Sequence, residues 1–148
     1  MTKSLEEFES LFLSTPHVAV MFLDNDCGFL KPTIENIVQR NDGKLHYQNF
    51  QNQGGCARFK SSTRDYEFVI LGNVLQYCEF KEKFLSLVYR SLENSAQIIL
   101  VMDKTAMDLY EVKDLLDKCN FLAANNIEIF EDKFVIVAKK MHMWDGGL

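Results

Sequence analysis

The sequence predicts an α/β fold: a mainly parallel sheet of about six strands that ends in an antiparallel β-hairpin. Three observations predict it. Continuous apolar runs of strand length stand at residues 18–23, 68–71 and 97–102 (VAVMFL, FVIL, QIILVM), the pattern of strands covered on both faces. Helical apolar stripes separate these runs, and strands alternating with helices imply parallel pairing through right-handed crossovers. Near the end, NIEIF (126–130) and KFVIVAKK (133–140) flank Glu131-Asp132 and read as a hairpin.

In chain order, Ser4 and Glu7 fit a capping box, and Leu5, Phe8, Leu11 and Phe12 recur at helical spacing until Pro16. After the strand at 18–23 comes the loop LDNDCGFLKP, and Pro32 suits a first helical turn. Ile34, Ile37 and Val38 form the stripe of that helix, and Gly43 is expected to end it in the left-handed conformation. Residues 45–50 alternate apolar and polar, as a half-buried strand does. The polar, Gly-paired stretch 51–65 reads as a long loop. Phe68–Leu71 is the next buried strand, closing on Gly72-Asn73, and Phe84, Leu87, Val88 and Leu92 line a helix over 81–92. A strand at 97–102 follows. Thr105 and Asp108 are candidate caps for a helix whose stripe is Leu109, Val112, Leu115 and Leu116.

Composition narrows the function. The chain has 148 residues, enough for one domain, and its 47% hydrophobic and 25% charged content is that of a globular protein. A net charge of −5, with lysines interleaved among acids, excludes a strong phosphate-backbone binder, so no nucleic acid is expected. The first twelve residues lack the apolar core of a signal peptide, and no apolar run approaches the ~20 residues that span a bilayer. A cytoplasmic, membrane-free protein is the expectation. Cys27, Cys56, Cys78 and Cys119 form no Cys-x-x-Cys, His17, His46 and His142 are scattered, and no metal site is predicted.

One resemblance goes further. YEFVILGNVLQYCEFKEKFLSLVYRSLENSAQIILV resembles the middle of a class I S-adenosylmethionine-dependent methyltransferase: strand, short loop, helix ending near Arg-x-Leu, tight turn, strand. Here these are Phe68–Leu71, Gly72–Tyr77, the helix through Arg90 and Leu92, and Gln97–Val101, with Asn94-Ser95-Ala96 where the family has Pro-Gly-Gly. The resemblance implies a single shortened domain over residues 1–148, a Rossmann-like sheet and S-adenosylmethionine as cofactor. It places the cofactor beyond the carboxyl ends of the parallel strands, at Asp24, Asp26, Gly28, Gly72, Asn73 and Tyr77. The first half departs from the family. Only Gly28 remains of a glycine-rich loop, Phe29 beside it is bulky, and Gln48 and Asn49 stand where an acid would hold the ribose. Residues 29–67 are also too few for the family's usual content, so one β-α unit is expected to be missing.

These depletions imply a degenerate, non-catalytic protein with a binding or structural role. The alternative is an active methyltransferase on a small molecule or protein, since methyl transfer rests mainly on alignment and needs no catalytic dyad. The structural alternative for the six residues is that Asp24 and Asp26 cap a turn, Gly72 allows tight packing and Tyr77 is core. LDNDCGFLKPTIENIVQR also resembles a thioredoxin-like Asp-x-Asp-Cys-x-x-Cys turn. Leu30 replaces the second cysteine, so Cys27 would do monothiol redox chemistry at a helix start. Finally, Met141, Met143 and Trp144 are candidates for docking a protein partner or a second copy.

Overall fold

The structure, a computed structural model, describes residues 2–12, 15–50, 59 and 63–140. Along the chain run α1 (Thr2–Glu9), β1 (Ala19–Asp24), α2 (Lys31–Arg40), β2 (Lys44–Asn49), β3 (Tyr66–Gly72) and α3 (Lys81–Ser91). They are followed by β4 (Leu92–Asp103), α4 (Leu109–Lys118), β5 (Phe121–Ile127) and β6 (Lys133–Lys140). The six strands form one sheet in the order β2-β1-β3-β4-β6-β5. The first four are parallel to one another, and β6 pairs antiparallel with both β4 and β5. This is the predicted architecture.

The central strands carry uninterrupted apolar runs because both sheet faces are covered there. On one face Phe22, Ile70 and Val101 pack with Phe8, Leu30 and Ile34 from α1, α2 and the turn before it. On the other, Leu23, Leu71 and Leu100 pack with Phe84, Leu85, Val112 and Leu116 from α3 and α4. The edge strand β2 is different: Leu45 and Tyr47 join the first core, while Lys44 and His46 are exposed. Most of the residues between Phe50 and Tyr66, where the missing β-α unit was expected, lie outside the described residues. No helix among the described residues is long and apolar enough to cross a membrane.

Four local expectations need correction. The first helix starts at Thr2, which puts Ser4 inside it rather than at its cap. Gly43 is not the left-handed residue; Asp42 is, at φ 52°. Gly43 is required for another reason, because a Cβ there would lie 2.1 Å from the Val18 carbonyl oxygen. Its N–H closes the helix on Val38 O at 2.8 Å, a Schellman arrangement. The strand expected at 97–102 starts at Leu92, and the presumed turn at Asn94–Ala96 is a bulge inside it. Its pairing jumps from Tyr66↔Leu92 to Phe68↔Gln97, with Ser95 at φ 66°. The hairpin's first strand is Phe121–Ile127, not 126–130, because Phe130 turns into the core against Phe8 and Phe29. Asp108 does cap α4, its Oδ2 accepting from Tyr110 and Glu111 N–H.

Candidate functional site

The sheet reverses its order of growth at β1: α2 carries the chain outward to β2, and the next connection returns it to β3 on the other side. A parallel α/β sheet opens a crevice at such a point, beyond the carboxyl ends of the strands. Here Asp24 ends β1 and Gly72 ends β3, paired directly across the gap. The loops after both strands meet above them.

Asp24 is 4% exposed, so its charge must be met from within. Its Oδ1 accepts the Cys27 N–H at 2.6 Å, and its Oδ2 accepts the Tyr47 hydroxyl from β2, also at 2.6 Å. The carboxylate holds the Tyr47 proton in place, and the phenol is pushed up to about 12. Lys31 Nζ sits 4.0 Å over the Tyr47 ring, a cation–π contact at the start of α2. The turn that Asp24 makes folds Cys27 inward. The Cys27 side chain is fully buried, and a Cβ on Gly72 would lie 2.7 Å from Cys27 Cβ and 3.2 Å from its Sγ. Cys27 fills the space that Gly72 leaves.

The polar residues around this plug are tied to one another. Asn25 N–H donates to Gly72 O at 2.8 Å, and Asn25 Nδ2 donates to Asn73 O at 3.0 Å. Asn73, 5% exposed, donates its N–H to Val101 O at 2.7 Å. Its Oδ1 accepts from Asp103 N–H at 3.0 Å and from Gln76 Nε2 at 3.1 Å. At the end of β4, Asp103 Oδ1 pairs with Lys133 Nζ at 2.8 Å. Burial alone would lower Lys133, but the bond to Asp103 and its charge outweigh it, and the ammonium is held above its ordinary range.

The six residues singled out from sequence divide. Asp24, Gly72 and Asn73 converge on the crevice, each bound or packed internally. Asp26 is exposed and holds a left-handed conformation, φ 64°, as its short polar side chain permits. Gly28 is exposed, and among the described residues a Cβ there would meet only Asp24 Oδ2, at 3.9 Å, an ordinary contact. Tyr77 is 71% exposed and belongs to no core, which corrects the packing alternative for it. The activated thiol is corrected too. Burial, reinforced by Asp24, Asp103 and Asp26 and opposed only by Lys133, pushes Cys27 up to about 12, the reverse of a nucleophilic thiolate. Among the described residues no cluster of metal-ligand side chains exists. Met141, Met143 and Trp144 lie outside the described residues. Tyr47, Asn25 and Lys133 were not foreseen as site residues; an acid ending a buried strand was the only signal that partners must exist.

The geometry has solved counterparts. A SAM dependent methyltransferase from Aquifex aeolicus superimposes with a TM-score of 0.75 at 14% identity, covering 93% of this chain and 89% of that one. This chain has a class I S-adenosylmethionine-dependent methyltransferase-like fold. An S-adenosylmethionine dependent methyltransferase from Mesorhizobium loti matches 90% of this chain and 96% of its own, with a TM-score of 0.65 at 7% identity. The CMeT domain of citrinin polyketide synthase gives 0.72 at 8% identity; this chain spans 52% of that longer one. No protein-family model matches the sequence, and no characterised protein matches it by sequence. In the crevice of this fold Cys27 packs against Gly72, both Asp24 oxygens are engaged within the chain, and β2 ends in neutral Asn49.

Proposed function

We propose that this protein is a non-catalytic member of the methyltransferase-like fold, retaining the scaffold for a binding or structural role. The observation that carries the reading is that the groups at the crevice are spent within the chain: Cys27 is buried against Gly72, and both Asp24 oxygens are bonded to Cys27 N–H and the Tyr47 hydroxyl. Titration calorimetry of the folded protein with S-adenosylmethionine and its demethylated product tests it. No heat at millimolar ligand is the expected result; micromolar binding would overturn the reading. One observation favours the active alternative, a methyltransferase on a small molecule or protein: Gly28 is exposed, and a Cβ there would meet only Asp24 Oδ2, at 3.9 Å, so the carboxylate end of a donor could approach the backbone. In that case Gly28→Val abolishes the heat. The partner of the non-catalytic form is a protein or a second copy, docked by Met141, Met143 and Trp144. Ending the chain at Lys140 then lowers the mass seen by sedimentation; an unchanged mass removes that docking mode.

A further inference from the structure

We propose that Cys78 is one half of a redox-formed staple whose other half is Cys56, a bond that ties the connection between β2 and β3 to the loop after β3. Cys78 is disulfide-bonded, whereas Cys27 and Cys119 are free thiols. The chain has four cysteines, so elimination leaves Cys56, which lies outside the described residues, as the partner. The sequence neighbours of Cys56 point the same way. Phe50 and Phe59 bracket it, and both bring their rings to Phe84 near the start of α3, at 6.4 and 5.3 Å between centroids. Cys78, 2% exposed, is buried in the same cluster as these three phenylalanines. The span that contains Cys56 is thus pinned on both sides to the core that holds Cys78.

The bond is made by exchange with an oxidised low-molecular-weight disulfide of the glutathione class. One cysteine thiolate attacks a sulfur of that disulfide, breaks its S–S bond and expels one thiolate. The second cysteine thiolate then attacks the protein sulfur of the mixed disulfide and expels the other. The two cysteines lose two protons and two electrons, and the small disulfide gains them and leaves as two thiols. Lys81 Nζ donates to Cys78 O at 2.9 Å, which sets an ammonium beside one of the reacting residues. The two free cysteines compete poorly. Burial pushes the Cys27 thiol up to about 12 and raises Cys119 as well, so both stay protonated. The staple joins two connections at the carboxyl ends of the strands. Phe50 follows the end of β2, where its N–H donates to Asp24 O at 2.6 Å, and Cys78 follows the end of β3. A cross-link that closes about twenty residues restrains the unfolded chain and so favours the native one. It persists where the thiol pool is oxidised and is lost where that pool is reduced.

Disulfide mapping of the full chain tests this. The protein is equilibrated at set ratios of glutathione to glutathione disulfide, unfolded in iodoacetamide without reductant, digested and read by mass spectrometry. In excess glutathione disulfide the expected result is one linked peptide pair, Cys56 to Cys78, in a chain two hydrogens lighter than the reduced one, with Cys27 and Cys119 alkylated. Raising the glutathione fraction should convert this species to one with all four cysteines alkylated. Cys56→Ser should leave Cys78 open to alkylation in the oxidising buffer. Its urea midpoint there should fall below that of the oxidised wild type and match that of the reduced wild type. Where Cys56→Ser does not fold, the wild type with and without reductant gives the same comparison of midpoints. A link to Cys27 or Cys119, a link between two chains, or four alkylated cysteines in excess glutathione disulfide overturns the staple, as do equal midpoints for the oxidised and reduced wild type.

Discussion

The loop after β1 and the loop after β3 meet above the same crevice, yet they dispose of their side chains in opposite ways. The first turns inward: Asp24 bonds the Cys27 amide and the Tyr47 hydroxyl, and the thiol disappears against Gly72. The second is anchored by Asn73 and by Val74, Leu75 and Cys78 in the core, and presents Tyr77 and Phe80 outward, at 71% and 67% exposure. The difference teaches where this fold keeps its stability and where it keeps its surface. A buried carboxylate is tolerated only when every oxygen is answered, so the first loop is constrained by its own interior. The second is tied down by its buried apolar residues and leaves two aromatic rings to face solvent or a partner.

The comparison can be broken most directly at Asp24. Asp24→Ala removes two charge-assisted bonds and leaves a buried amide unanswered, and should cost about 3 kcal/mol in urea unfolding. In the same variant the Tyr47 phenol should return from about 12 toward its ordinary 10.0, read by phenolate absorbance. The sign for pH follows from the raised phenol. Its contribution is complete below pH 10.0 and is lost as pH rises toward about 12, so alkaline stability should fall across that window and do so less in Tyr47→Phe. Next in size is Gly72→Ala, which sets a methyl against Cys27 Cβ and should cost about 2 kcal/mol. Combining it with Cys27→Gly should recover about 1 kcal/mol or more relative to additivity; strictly additive costs would mean that the two residues do not share the space. The smallest effect belongs to the outward loop. Tyr77→Ser with Phe80→Ser should stay within about 0.5 kcal/mol of the parent in stability, and a larger loss would show that these two rings are packed as well.

Much of the fold was legible because burial on both sheet faces writes itself as uninterrupted apolar residues, as in Val18–Leu23 and Ile98–Val101. Edges are written less clearly. Phe121–Ile127 exposes Leu122 and breaks its pairing between Leu122 and Asn125, so the alternating Ile127, Ile129 and Phe130 looked more like a strand than the strand itself. At the site, Asp24, Gly72 and Asn73 were legible because a polar residue or a glycine at the end of an apolar run demands a reason. Cys27 was legible as unusual and misleading in kind, since a thiol at a helix start is activated or silenced according to what lies above it. That neighbour, Gly72, belongs to another strand. Tyr47 escaped for the same cause: its partner is fixed by strand order, and strand order is not local information.

The bond between Asn25 and Asn73 joins residues 48 apart in the chain, across a parallel pair that no tight turn can nucleate. Closing so long a span costs entropy before any contact returns it, and such pairings set the pace at which a chain reaches its native form. The Cys27 thiol cannot be enclosed until β1 and β3 have found each other. Its disappearance from solvent during refolding is therefore a clock for the pairing of β1 with β3, carried by a residue already in place.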